Sequence, residues 1–415
     1  MRRLKVLHNN NFSHSSKTKI ADNNMQISTM SFRDSSIELT KSLTKQTKQE
    51  CGIFFTPKED RDKLFAILDR LKVCPTNILE PSFGSGEFLE DLYEKYPDAA
   101  ITGIELHEGL FSATKRDSVH NMDFLDYLGK HDLIVGNPPF FVMQKNEETI
   151  LCQDNRPNMC VQFLYKALEY NLASGGVLAF ILPTSLYNCS YYEKMRWYLA
   201  KHTTILAIEP LSGDYLETQQ ATFILVVREA WNSQAPSNFL LERGNSIYLT
   251  PCKNEIVDLL KNSSTLSELG FEVKTGEVVW NQEKEKMSDN GTLLLYSSNF
   301  KNGKVELGVK EPKKQYITGF SKAPLSGKAI LINRGYGNAE YTLNTVLVDY
   351  PSFYAENHVN VVRPSTKKAE KLIEKVYVSL RSEKTAKFIR MFVGNNAMSK
   401  SEIETVLPIW LGDAC

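Results

Sequence analysis

Two stretches carry residues whose types and spacing could do chemistry. In "ILEPSFGSGEFL" Glu80 precedes Gly84 and Gly86, where an apolar run gives way to a helical pattern. Glycines in such a turn let the backbone approach a ligand closely, in the crevice above the strand ends. Glu105 closes the next apolar run 25 residues later, where an acid can hold ribose hydroxyls. In "DLIVGNPPFFVMQ" four apolar or small residues run into Asn137, Pro138, Pro139 and Phe140. Proline cannot donate to a sheet ladder, so the strand must stop there on an amide, a rigid step and two aromatic rings. Taken singly, Gly-Ser-Gly also fits a plain tight turn, and a strand-end acid needs no role. A nicotinamide fingerprint would ask for a third glycine where Leu89 stands.

The surrounding pattern supplies elements that can position these residues. Thr56 is suited to cap a helix with Pro57 at its first position and Glu59 completing a capping box. Leu64, Ile67, Leu68 and Leu71 then share one face. Short apolar strands alternate with amphipathic helices from "NILEPS" to "QATFILVVRE", with "ASGG" expected to cap the helix before "GVLAFILP". That rhythm predicts a parallel sheet covered on both faces, in a doubly wound α/β domain. It stops near "EAWNSQAPSN", beyond which short strands, loops and one long helix over 366–392 suggest a second, mixed α/β domain. The expected division is a basic, flexible arm over 1–48, a catalytic domain over 49–238 and a second domain over 239–415.

With 42% hydrophobic and 24% charged residues, the 415-residue chain has the composition of a soluble globular protein of two domains. No apolar run reaches the length of a membrane helix, and the N-terminus lacks the apolar core of a secretory signal. A cytoplasmic address follows as the expectation, in a bacterium or, for a viral protein, its host cell. Seven cysteines are scattered without a Cys-x-x-Cys pair, which argues against a disulfide framework and a structural metal. Net charge is zero, yet by segment it is about +5 over 1–50, −12 over 51–300 and +7 over 301–415. Basic ends around an acidic middle suit a protein that grips a polyanion, and ordinary solvated faces explain them as well.

In order, the chain supplies Thr56-Pro57, Glu80-Pro81-Ser82-Phe83-Gly84-Ser85-Gly86, Glu105, Asp123-Phe124 and Asn137-Pro138-Pro139-Phe140. This set, over residues 50 to 230, resembles the γ-class of DNA adenine-N6 methyltransferases of restriction-modification systems. The resemblance implies a Rossmann-like domain, S-adenosylmethionine as methyl donor, duplex DNA as substrate, and a C-terminal target-recognition domain. It further implies that Glu105 holds the donor's ribose and that Asp123, with Phe124 alongside, holds its adenine. Phe163 would pack on that ring, although helix core explains it equally, and Asp123 could equally cap a turn. Thr56, Pro57 and the Glu80–Gly86 loop would surround the methionine end.

For such an enzyme the Asn-Pro-Pro-Phe turn has a physical reading. An exocyclic adenine amine is a poor nucleophile because its lone pair is delocalised into the ring. The Asn137 side-chain oxygen and the Pro138 carbonyl can each accept one amine hydrogen and favour a pyramidal nitrogen. The fixed φ of proline sets that carbonyl's direction. Phe140 offers a stacking face to a base that has left the duplex. A second aromatic clamp is expected at Tyr215, with Phe223 as the runner-up.

"FEVKTGEVVWNQEKEK", "LLLYSSN", "ILINRGYGN" and "ENHVNVV" are similar to segments in the C-terminal halves of such methylases. There Arg334 stands beside Gly335-Tyr336-Gly337-Asn338, where arginine can read guanine and asparagine adenine. A structural turn fits that stretch too, and the lysines of 366–390 suit phosphate contacts or a solvated helix face. No nuclease constellation is visible, so modification alone is expected, by a monomer protecting DNA from a cognate restriction endonuclease. The first 48 residues look additional to the family's core. Rival substrates for the same Asn-Pro-Pro-Phe chemistry are an RNA base or a protein glutamine amide, and the rival class is a silent DNA-binding scaffold.

Overall fold

The computed structural model describes residues 32–44, 52, 55–114, 116–143, 151, 158–211, 221–230, 237–335, 341–392 and 397–412. Contacts divide the chain into two units, one of residues 1–240 with 247–251, the other of 241–246 with 252–415. Among the described residues the first unit runs through helix α1 (Asp34–Ser42), α2 (Lys58–Arg70), β1 (Asn77–Glu80), α3 (Glu87–Lys95) and β2 (Ala100–Glu105). It continues through α4 (Glu108–Ala113), β3 (Val119–Asn121), β4 (His131–Gly136) and α5 (Met159–Lys166). β5 (Leu172–Pro183), α6 (Glu193–His202), β6 (Thr203–Pro210) and β7 (Thr222–Glu229) complete it.

The seven strands lie in the order β3-β2-β1-β4-β5-β7-β6. Alternating residues feed two cores. Ile134, Leu178, Phe180 and Leu225 face one cluster, while Val135, Ala179, Ile181 and Ile224 face the other. Both faces are thus covered, at about 1.5–3 kcal/mol for each large side chain fully buried. The order runs outward in opposite directions from β1 and β4, so the crevice at their carboxyl ends is a topological switch point of a Rossmann-like sheet. The two glycine- and proline-bearing turns both emerge there.

Two expectations for the first unit's sheet are corrected. The sheet is not wholly parallel: β7 runs antiparallel to both β5 and β6. The link from β6 to β7 is shorter than the dozen or more residues a parallel crossover needs. "ASGG" caps no helix but lies inside β5, where the Gly175 amide donates to Glu229 Oε2 at 2.8 Å. Within the arm expected over 1–48 the described residues include α1, and Arg33 before it donates from Nη2 to Asp91 Oδ1 at 2.8 Å.

At the start of β4, His131 is built in as the neutral ring. Its Nδ1–H donates to Asn77 Oδ1 at 2.8 Å, and its Nε2 faces the Tyr127 hydroxyl at 2.9 Å as acceptor. Asn77 presents its oxygen because its own amide nitrogen donates to Lys130 O. Burial lowers the ring's pKa from 6.5 to about 4. A depressed folded value means the neutral ring stabilises the fold above pH 6.5, and that contribution is lost as pH falls toward 4. Hydrogen-exchange protection of the β4 amides, measured across this window, should fall less steeply for His131→Gln than for the wild type. Equal slopes would contradict the assignment.

The second unit is built on another seven-stranded sheet, ordered Phe271–Thr275, Val359–Pro364, Leu325–Asn333, Thr345–Ala355, Thr292–Leu295, Tyr316–Ile317 and Met287–Ser288. It is antiparallel except where Thr292–Leu295 pairs with Thr345–Ala355. The long helix expected over 366–392 is three helices: Lys367–Glu370, Ile373–Leu380 and Glu383–Phe392. Side-chain caps mark two of the three starts: Thr366 Oγ1 accepts from the Ala369 amide and Ser382 Oγ from the Thr385 amide, whereas Leu372, before Ile373–Leu380, makes no side-chain cap. Among the described residues no helix is long and apolar enough to cross a membrane.

Candidate active site at the sheet's switch point

β4 delivers Asn137 to the crevice, and the prolines after it end the ladder. The Asn137 amide nitrogen donates to Thr56 Oγ1 at 3.1 Å, whereas its Oδ1 is buried and has no hydrogen-bond partner. Leaving a buried acceptor unpaired costs about 1–3 kcal/mol, so an oxygen held this way is primed for a donor. Its backbone carbonyl accepts from Ser82 Oγ at 3.5 Å, which joins the β4 turn to the β1 turn. Pro138 is buried, and Phe140 is half-buried against both cores.

Thr56 does not cap α2 as its sequence suggested. The N-cap is Pro57, with no side-chain cap bond, and Lys58 opens the helix. The threonine hydroxyl is turned to Asn137 instead, and its carbonyl accepts from Arg61 Nη1 at 2.6 Å.

The β1 turn wraps a cradle. Gly84 and Gly86 have φ of 57° and 83°, the left-handed region where a side chain would be strained. Phe55 lies across Gly84, with room for a Cβ only at van der Waals contact, 3.5 Å. Pro81 lies as close to the backbone of Gly136, so the two turns abut.

Glu105 ties the cradle to the next loop. Its Oε2 accepts from the Gly84 amide at 2.9 Å and its Oε1 from the His107 amide at 2.7 Å. A carboxylate has about four acceptor positions, so two remain for hydroxyls of a ligand. Burial raises its pKa against those backbone bonds, which lower it. Glu80 is 2% exposed, and Oε2 has no hydrogen-bond partner. Burial first, then the nearby Glu105, push its carboxyl well above the usual range. A buried, unpartnered acid beside a glycine cradle fits the polar end of a bound cofactor.

Asp123 caps the turn Phe124–Asp126 by accepting from the Leu125 amide at 2.9 Å, which leaves its second oxygen for a ligand. Phe163 is 6% exposed, its ring 4.9 Å from that of Phe124. Phe223 is core, packed on Tyr187 at 4.4 Å between ring centres. Tyr215, Tyr336 and Asn338 lie outside the described residues. Arg334 belongs to the second unit, where its amide donates to His358 O and its Nη1 to Asn357 O at 3.1 Å. The Asn357 amide in turn donates to Val278 O. The neighbouring Glu356 amide donates to Leu295 O, so all four C-terminal segments singled out by sequence are joined at the turn that holds Glu356 to His358.

Sequence reading missed a charged lattice behind the cradle. Arg61, 2% exposed, donates from Nε to Asp91 Oδ2 at 2.6 Å, with Nη2 2.8 Å from Glu87 Oε2. The same two acids hold Arg33, whose amide donates to Glu87 Oε1 and whose Nη2 donates to Asp91 Oδ1. Ser36 Oγ on α1 donates to Ser85 Oγ in the cradle. A signal existed: Arg61 stands at helical spacing with Leu64, Phe65 and Leu68, in the middle of the apolar stripe.

Residues 18–215 match the Eco57I restriction-modification methylase family. Modification methylase CviBIII of Paramecium bursaria Chlorella virus NC1A is 30% identical over 386 residues, covering 89% of this chain and 96% of that one. Type II methyltransferase M.CvrRI of Paramecium bursaria Chlorella virus XZ-6E is 26% identical over 391 residues, 90% of this chain and 98% of that one. The solved structure of the Type IIL restriction-modification enzyme MmeI in complex with DNA aligns with 91% of this chain and 67% of its own, at 12% identity and a TM-score of 0.49. The family match begins at residue 18, so the first 48 residues are not wholly additional to the family core.

Proposed function

We propose, since the chain belongs to the Eco57I restriction-modification methylase family of type II modification methyltransferases, that it methylates adenine at N6 in duplex DNA. It is a restriction-modification DNA methyltransferase, and S-adenosylmethionine is its methyl donor. The observation that carries the adenine reading is the buried, unpartnered Oδ1 of Asn137 at the switch point. In this reading that oxygen and the Pro138 carbonyl each accept one hydrogen of the exocyclic amine. The nitrogen then loses conjugation with the ring and its lone pair becomes available. Phe140 receives a face of the flipped base, with Tyr215 as the opposing clamp.

Bound S-adenosylmethionine would supply a methyl group activated by its sulfonium, without a metal. Glu105 would accept its ribose hydroxyls and Asp123 its adenine amine, beside Phe124 and Phe163. Thr56, Pro57 and the loop holding Glu80, Pro81, Ser82, Gly84 and Gly86 would take the methionine end. The second unit would be the target-recognition domain, with Arg334, Tyr336 and Asn338 at base edges. The biological role would be to protect DNA from a cognate restriction endonuclease, acting as a monomer in the cytoplasm.

The test supplies tritiated methyl donor with duplex DNA, ribosomal RNA and protein extract in parallel, and digests each product. Label in N6-methyl-2′-deoxyadenosine is expected. Label in another base, in RNA or in glutamine would overturn the adenine reading while keeping the family.

A further inference from the structure

The two ends of an amide side chain are almost the same size, yet only its oxygen can accept an N–H. If Asn137 works by accepting a hydrogen from the substrate amine, something must determine which end faces that amine. Reversed, the side chain would set its own N–H against the substrate's N–H and block the geometry rather than favour it. The structure holds one orientation. Nδ2 donates to Thr56 Oγ1 at 3.1 Å, and Oδ1 is left as the unpartnered atom.

Thr56 is itself fixed. It is 3% exposed, and its carbonyl accepts from Arg61 Nη1 at 2.6 Å. Arg61 is held by Asp91 and Glu87 from α3, at 2.6 and 2.8 Å. These bonds make a continuous line from the charged lattice to the amide. They join residues far apart in sequence, 81 positions for the last of them.

We propose that Thr56 is the positioning residue that anchors the Asn137 side chain at the switch point, so that the unpartnered Oδ1 is held where a substrate amine can reach it, and that Arg61 holds Thr56 at the required place. The proposal rests on the adenine reading above, because only an amine substrate needs the oxygen end. Neither residue touches the reacting atoms in this role. Each works through the next: Arg61 on the Thr56 backbone, and the Thr56 hydroxyl on Asn137.

The discriminating variants are Thr56→Val and Thr56→Ser. Valine keeps the shape but removes the acceptor, so Nδ2 loses its partner and the amide is free to turn. Serine keeps the hydroxyl. In the full-length protein, single-turnover transfer to DNA at saturating S-adenosylmethionine should fall by roughly 10–100-fold in Thr56→Val, the range expected when a reacting group is misplaced. Because Thr56 also stands at the donor's expected methionine end, donor affinity is measured separately by equilibrium dialysis; the loss of rate should persist at saturating donor, and Thr56→Ser should recover most of it. Arg61→Lys should slow transfer too, and should add little in the Thr56→Val background, because coupled residues are not additive.

A Thr56→Val enzyme with the wild-type rate would overturn the proposal. So would a loss that appears wholly as weaker donor affinity, which would make Thr56 a cofactor contact only. Fully additive effects of the two substitutions would remove Arg61 from the line. Failure of the adenine reading itself would look different, since the wild-type enzyme would then yield no N6-methyl-2′-deoxyadenosine.

Discussion

Asn137→Ala is expected to lower methyl transfer by on the order of 10²–10³-fold, the cost of deleting one preorganised polar group from a site where charge develops. S-adenosylmethionine affinity should be nearly unchanged. The expected donor site is built from the cradle of Gly84 and Gly86 and from Glu105, whose bonds go to Gly84 and His107 and not to Asn137. The alanine variant keeps the Pro138 carbonyl, so half of the acceptor pair survives. Asn137→Asp keeps an acceptor too, and the Thr56 hydroxyl can turn to donate to it, so this variant should retain more activity than alanine. Single-turnover kinetics with dialysis of the donor separate the two effects. Loss of less than about tenfold in Asn137→Ala would mean that the carbonyl alone suffices.

The second large effect is on stability. Arg61→Met should destabilise the first unit by about 3–5 kcal/mol, because removing one partner of a buried ion pair leaves the others unpaired. Among the described residues Glu87 and Asp91 would keep only Arg33 as a cationic partner, whose side chain is far more exposed than that of Arg61. The pair itself need not be strongly stabilising, since desolvating it is costly. What the substitution exposes is the cost of the orphaned acids. A chain of two units has no single unfolding free energy, so hydrogen exchange over Lys58–Arg70 and Glu87–Lys95 is the suitable measurement. Exchange there should accelerate by on the order of 10²–10³-fold, with the second unit unaffected. An acceleration below about tenfold would show that the acids find other partners.

The sequence was most legible where local pattern and tertiary environment agree. Continuous apolar runs such as "GVLAFILP" could only be strands buried on both faces, and the turns that follow them had to lie at the strand ends. Glu80, Gly84, Glu105 and Asn137 accordingly meet at the switch point. Thr56 was misread because a local capping rule was outweighed by a bond to Asn137 that no local rule contains. The 366–392 stretch was misread in the opposite sense: its apolar period is continuous, while the break before Glu383 depends on a single hydroxyl, Ser382, finding the Thr385 amide. Arg61 was passed over because a charge on an apolar stripe means little until its partners on another helix are known.

The place of β7 has a consequence for how this chain can be cut or made. The family match ends at residue 215, seven residues before β7 begins. Yet β7 is the strand that joins β6 to the rest of the sheet, with β5 on its other side. A fragment ending at the family boundary would keep every residue of both turns at the switch point and still leave β6 detached and the long edge of β5 bare. Such an edge is a template for pairing with another chain. During synthesis the same holds for the nascent chain: until residues 222–229 leave the ribosome, the sheet that carries Asn137 has an open, apolar side.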